Sequence, residues 1–154
     1  MIVEPVAYVS CSRTAAEDDH WDRESTSIQL MPQFGPEALA GLAEFSHIEV
    51  LYCFHKVDAA GVQTGARHPR GNAAWPLTGI FAQRAKNRPN RLGTTACRLL
   101  GVQGTTLQVS GLDAVDGTPV LDIKPVMSEF LPRGTVVQPA WSHELMRHYW
   151  SEET

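Results

Sequence analysis

Residues 47–57, HIEVLYCFHKV, put Ile48, Val50, Tyr52 and Phe54 on one face of an extended chain and Glu49, Leu51, Cys53 and His55 on the other. A period of two over that length is a strand, and it is the best strand in the sequence. Residues 3–9, 26–30, 77–83, 94–100, 105–109 and 120–124 read as further strands, with Gly101-Val102-Gln103-Gly104 inside a β-hairpin. Helix is expected only over 36–45, where Pro36 stands in the first turn and Glu37 near the positive end of the dipole, and over 142–150. No βαβ alternation exists. The expected fold is mainly β, a single β-barrel domain with short helical insertions and a C-terminal helix.

A chain of 154 residues suits one domain and buries roughly two-thirds of its unfolded surface. No stretch approaches the ~20 apolar residues of a membrane span, and the first residues do not read as a signal peptide. Cys11, Cys53 and Cys97 are odd in number and far apart, which argues for a reducing, cytoplasmic compartment and against a disulfide framework. A sequence pI near 5.8 excludes generic basic affinity for nucleic acid. No DNA or membrane partner is expected, although a local patch can still bind RNA.

Such a patch exists. Residues 59–112 contain no Asp or Glu, yet hold seven of the thirteen Lys and Arg residues. Within them lies a loop carrying Arg84, Lys86, Arg88 and Arg91, interleaved with Asn87, Pro89 and Asn90 and closed by Gly93. Arginine forks suit carboxylate or phosphate, and Pro89 lowers the entropy lost on ordering the loop. A solvated basic face is the plain alternative. Residues 59–76, rich in Gly, Arg, His and Pro, form a longer connection than the ~12–15 residues usual for a structureless loop. Downstream, Asp113 and Asp116 bracket a turn at Gly117. Those acids either solubilise the turn, or Asp116 and the Gly117-Thr118 backbone bind an amine, ribose or ammonium group. His47 and His55 are too far apart for one metal, and His68 suits ligand contact better than catalysis. No zinc-finger spacing, nucleophile elbow, Walker loop or GxGxxG occurs. Local motifs therefore give an anionic or zwitterionic ligand and no reaction.

FSHIEVLYCFHKV, GARHPRGN, TGIFAQRAKNRPNRLG and GLDAVDGTPVLDIKP together resemble the TsaA-like (YaeB-like) family, whose members carry GVFATRSxxRPNPIG followed by LDxxDGTPVxDIKPY. Gly79, Phe81, Ala82, Arg84, Arg88, Pro89, Asn90 and Gly93 match the first phrase, and Leu112, Asp113, 116–120 and 122–125 match the second. The resemblance covers 1–133 as a TsaA-like barrel domain and leaves 134–154 as a tail with a short helix. It implies a homodimeric methyltransferase that uses S-adenosyl-L-methionine without a Rossmann fold, with the cofactor near the subunit interface. The implied reaction is methylation of N6 of threonylcarbamoyladenosine beside the tRNA anticodon. Implied cofactor contacts are His55, Lys56, Arg84, Asp116, Gly117, Thr118, Pro119 and Val120. Expected acceptor contacts are Lys86, Arg88, Asn90 and Arg91. No general base stands out; Asp116, Asp122 and Lys124 are contributors at most. Methylation of a small molecule at the same site and a non-catalytic RNA- or ligand-binding barrel are the alternatives. Departures from the family phrases are Arg91-Leu92 for Pro-Ile and Val126 for Tyr. The family's N-terminal Pro-Arg-Gln has no clear match, and 18–22 (DDHWD) occupies about its place.

Overall fold

The computed structural model describes residues 1–23 and 25–151. Its strands are β1 (Ala7–Ser10), β2 (Ser25–Leu30), β3 (His47–Cys53), β4 (Ala66–Arg67), β5 (Thr78–Gly79), β6 (Leu92–Gln103), β7 (Thr106–Ser110) and β8 (Pro119–Pro125). Six of them close into an antiparallel barrel in the order β1-β2-β7-β6-β3-β8, while β4 and β5 form a separate two-stranded ribbon. Closure depends on β6. Its first half pairs with β3, from Leu92↔Cys53 to Arg98↔His47, and its second half with β7. A register shift between Leu99 and Gly101 bends the strand from one wall to the other.

Alternation fills the interior as expected. Ala7, Val9, Ile28, Ile48, Val50, Tyr52, Leu107, Val109 and Val120 are buried, while Tyr8, Gln29 and Glu49 face outward. Each large buried side chain contributes about 1.5–3 kcal/mol relative to exposure. The hairpin between β6 and β7 turns at Gly104, whose φ of +60° suits glycine.

Four segments differ from their expected form. The helix expected over 36–45 is two 3₁₀ turns, Pro36–Leu39 and Leu42–Glu44, because Gly41 adopts φ +82° between them. The strand expected over 77–83 shrinks to β5, followed by a 3₁₀ turn at Ile80–Ala82. Gln83 turns inward there, its amide donating to the carbonyls of Arg67 and Thr78 at 3.0 and 2.9 Å. The connection 59–76 is held by the β4–β5 pair and by 3₁₀ turns at Ala59–Gly61 and Pro69–Gly71. Finally, helix α1 (Ala140–Met146) begins and ends earlier than the expected 142–150, after Pro139. Tight turns follow it, from the Arg147 amide to the Glu144 carbonyl and from the Tyr149 amide to the Met146 carbonyl.

Antiparallel closure gathers the C-terminal ends of β1, β3 and β7 and the N-terminal ends of β2, β6 and β8 at one end of the barrel, the upper end. The two 3₁₀ turns around Gly41 cover the other. Among the described residues no helix is long and apolar enough to cross a membrane.

Candidate functional site

The turn entering β8 is built first by backbone. Gly117 adopts φ +77°, and its amide donates to the Val9 carbonyl at 2.9 Å. Asp116 donates its amide to the Arg13 carbonyl at 2.8 Å and accepts the Cys11 amide on Oδ1 at 3.1 Å. Thr118 is buried, with its hydroxyl on the Val115 carbonyl at 2.7 Å. The DGTP turn is therefore fixed to the chain leaving β1.

Beside it, the chain leaving β3 breaks its alternation. The His55 amide bonds back to the Cys53 carbonyl at 2.8 Å, so His55 does not continue the face that holds His47. A Cβ on Gly117 would stand 3.8 Å from His55 Nε2, which puts the imidazole against the turn. Lys56 Nζ donates to the Thr14 carbonyl. Desolvation, then the neighbouring Lys56 charge, lowers the His55 pKa, and Asp116 opposes them. The net shift favours the neutral imidazole.

The cationic loop forms the next wall. Arg84 is exposed, and its Nη2 reaches the Thr94 carbonyl at the start of β6, 2.7 Å away. Arg88 and Arg91 are half-buried and brace the loop, donating through Nη1 to the carbonyls of Gln83 and Val57, both at 2.7 Å. Asn90 and Arg91 both adopt the left-handed region, at φ +63° and +51°. Asparagine tolerates that conformation; for Arg91 it is strained, and the bond to Val57 offsets the cost. Proline, locked near −65°, could not take this backbone, so Arg91 gives the loop a path closed to the family's Pro. Among the four expected acceptor contacts, Lys86 and Asn90 are exposed, whereas Arg88 and Arg91 commit a donor each to the loop.

Gly93 closes the loop for a reason unrelated to flexibility. A Cβ there would meet Tyr52 Cε2 at 2.5 Å and Phe54 Cζ at 2.9 Å, two rings in edge-to-face contact with centroids 5.4 Å apart. Only glycine lets β6 lie over these rings.

The sequence reading missed the polar centre of this end. Asp113 is turned inward: Oδ1 accepts from the Tyr52 hydroxyl at 2.8 Å and from the Thr95 hydroxyl, and Oδ2 accepts from the Tyr149 hydroxyl. Burial first, and Asp113 second, hold both phenols well above the ordinary tyrosine range. The same two causes push the Cys97 thiol up to about 12. The inward face of β3 carried a signal for Tyr52; nothing local pointed to Tyr149. That residue arrives because the C-terminal segment docks here. His20 and Trp21 donate their amides to the His148 and Tyr149 carbonyls, both at 3.0 Å, and Trp75 Nε1 donates to Glu144 Oε2 at 2.9 Å.

The upper end thus offers an exposed guanidinium, a neutral imidazole and a backbone turn without side-chain bulk. It can take a carboxylate and hydrogen-bonding groups together. A profile of the tRNA-methyltransferase O N-terminal domain matches residues 8–130. The chain belongs to that family. It is 32% identical to the human tRNA (adenine(37)-N6)-methyltransferase over 162 residues, covering 100% of this chain and 36% of that protein. It is 43% identical over 102 residues to the putative S-adenosylmethionine-dependent methyltransferase RcsF of Pseudomonas aeruginosa, covering 64% of this chain and 43% of that protein. A crystal structure of TrmO from the same species superposes with a TM-score of 0.74 at 28% identity, covering 92% of this chain and 61% of that one. The chain therefore spans less than half the length of these two curated relatives. In this TrmO-type domain α1 and Tyr149 lie beyond the matched segment.

Pro119 and Val120 follow the turn and begin β8 at the upper end, with Val120 buried in the barrel. Asp122 and Lys124 pair with each other farther along β8, and Asp122 borders a groove at the opposite end. His68 is tied to the Trp75 carbonyl at 2.7 Å. Among the described residues no cluster of His, Cys, Asp and Glu could hold a metal.

Proposed function

We propose that this domain binds S-adenosyl-L-methionine at the upper end of the barrel and directs its methyl group to an adenine of tRNA. The favoured acceptor is N6 of threonylcarbamoyladenosine beside the anticodon. The observation that carries this reading is the placement of Arg84, bonded to the start of β6, and of His55, against the Gly117 turn, at the same end of a TrmO-type barrel. When bound, the cofactor supplies an electrophilic methyl group on a sulfonium. The donor set fits such a zwitterion. Arg84 would hold its carboxylate, and the backbone around Gly117 would lie against its nucleoside, where a side chain would meet His55. Neutral His55 can accept or donate a hydrogen bond there without repelling a cationic group. Lys86 and Asn90, exposed on the cationic loop, would steer the RNA, joined by the donors of Arg88 and Arg91 left over from the loop. Rate would come mainly from alignment, since in-line transfer needs a fixed approach more than a strong base.

The reading includes a homodimer. Leu77 and Phe81, beside the loop, are 62% and 77% exposed and offer apolar area for a two-fold contact, which light scattering would detect. The decisive test is methyl release from labelled cofactor onto tRNA, with mass spectrometry of the modified nucleoside. A methyl group on N6 at the position beside the anticodon supports the reading. Cofactor binding with no transfer to any tRNA contradicts it and favours a small-molecule acceptor.

A further inference from the structure

The chain leaving β8 runs in the open. Val126 is still pinned, its amide on the His47 carbonyl at 3.0 Å, but every residue from 127 to 139 is exposed. Among the described residues no hydrogen bond or ion pair joins that stretch to the barrel. Yet the strap is rich in apolar groups. Met127, Phe130, Leu131, Val136 and Val137 are all uncovered, Phe130 at 87% and Val137 at 88% exposure. Its course is nonetheless set, by a 3₁₀ turn at Ser128–Phe130 that the Leu131 amide closes on the Ser128 carbonyl at 3.2 Å, by Pro132, and by Gly134 at φ +90°. A preset apolar strap loses little entropy on being covered, and a surface of this kind marks a contact site. With Glu129 and Arg133 as its charges, one of each sign, it does not suit RNA.

The same end of the barrel holds a recess. Pro125, the last residue of β8, lines a groove of about 540 Å³ together with half-buried Phe34, Leu42, Phe45 and Ile123. Two acids also line it, Glu44 and Asp122. Asp122 pairs with Lys124, whereas neither Glu44 nor Arg133 belongs to an ion pair among the described residues.

We propose that strap and groove are the two halves of one self-complementary surface on which a second copy of this chain docks. The strap of each copy lies in the other's groove, with Phe130 and Leu131 against Phe34 and Phe45 of the partner subunit and Arg133 beside Glu44 of the partner subunit. The strap begins two residues after Pro125, at the edge of the groove, so a two-fold axis there makes each contact twice. Apolar groups meet apolar groups, and the unpaired cation meets the unpaired acid. Strap and groove together supply roughly the 20–30 residues a side of a stable interface. The inference rests on the homodimer reading above and gives it a surface other than Leu77 and Phe81; the cofactor site at the upper end is not involved.

The test is sedimentation velocity of the full chain and its variants over a concentration series, each variant first checked by a thermal melt. Glu44, Phe130 and Arg133 are exposed, so these substitutions leave the fold intact. Wild type sediments as a dimer. Phe130→Ser weakens the dimer about thirtyfold, the loss of a central aromatic anchor. Arg133→Glu and Glu44→Arg each weaken it about tenfold at low salt, and the two together restore it to within about threefold of wild type. That rescue would not follow if either residue only shaped its own turn. A dimer that ignores Phe130→Ser, or single charge reversals that the double variant does not rescue, overturns this surface; a dimer that then breaks with Phe81→Ser keeps the homodimer reading. A wild-type chain that stays monomeric overturns both.

Discussion

The two ends of this barrel are made from the same strands and differ in what closes them. The upper end is closed by turns whose polar groups hold one another: Asp116 on the Cys11 amide, Lys56 on the Thr14 carbonyl, Arg91 on the Val57 carbonyl, and three hydroxyls on Asp113. The lower end is covered by the two 3₁₀ turns around Gly41 and carries a groove of about 540 Å³ between Phe34, Leu39, Phe45 and Ile123. The groove offers space lined mostly by apolar groups, whereas the upper end offers an exposed guanidinium and an imidazole against an unencumbered turn, the groups on which the proposed cofactor site rests.

The comparison can be broken at several points. Gly93→Ala has the largest expected effect, because its Cβ would overlap Tyr52 and Phe54 under the upper end. We expect a loss of about 3 kcal/mol of stability in denaturant melts, and a neutral result would mean that the rings move aside at no cost. Next, Arg84→Ala should weaken S-adenosylmethionine binding roughly 10- to 150-fold, or about 1.5–3 kcal/mol. Phe45→Ala in the lower groove should leave that affinity within about twofold, since distant sites act independently. Equal losses from the two variants would erase the distinction between the ends.

Smaller effects sharpen it. Lys86→Ala should reduce the log–log salt slope of tRNA binding by about 1 and leave cofactor affinity unchanged. An unaltered slope would remove Lys86 from the RNA path. The smallest signal is the titration of His55. Its folded pKa is lowered by desolvation and by Lys56, so the folded state binds fewer protons than the unfolded chain as pH falls below 6.5. Stability from this group is complete above 6.5 and declines as pH drops through the folded value. NMR should find the midpoint below 6.5 and rising in Lys56→Ala; a midpoint above 6.5 would mean that Asp116 dominates instead.

Much of this was legible in the sequence, and the failures have causes. Alternation gave the inward face of β3 because a barrel wall has one dry side. The family phrases gave the two loops that flank the site. The strand expected over 77–83 is cut short because Gln83 gains three hydrogen bonds by turning into the Thr78 and Arg67 loop, which no periodicity encodes. The cationic loop looked like a row of phosphate ligands. Two of its three arginines are braces, a role set by the backbone carbonyls of Gln83 and Val57. Asp113 read as a turn acid because its partners, at 52, 95 and 149, are brought together only by the closed fold. Gly93 read as punctuation, and only the rings beneath it reveal a steric demand.

The most direct test of the central claim is amide chemical-shift mapping of the labelled chain titrated with S-adenosylmethionine. The account predicts the largest perturbations at His55, Lys56, Arg84, Thr94 and 116–120, with 34–45 and 122–125 quiet. Saturable shifts concentrated on Phe34, Leu39, Phe45 and Ile123, with the upper end silent, would contradict it.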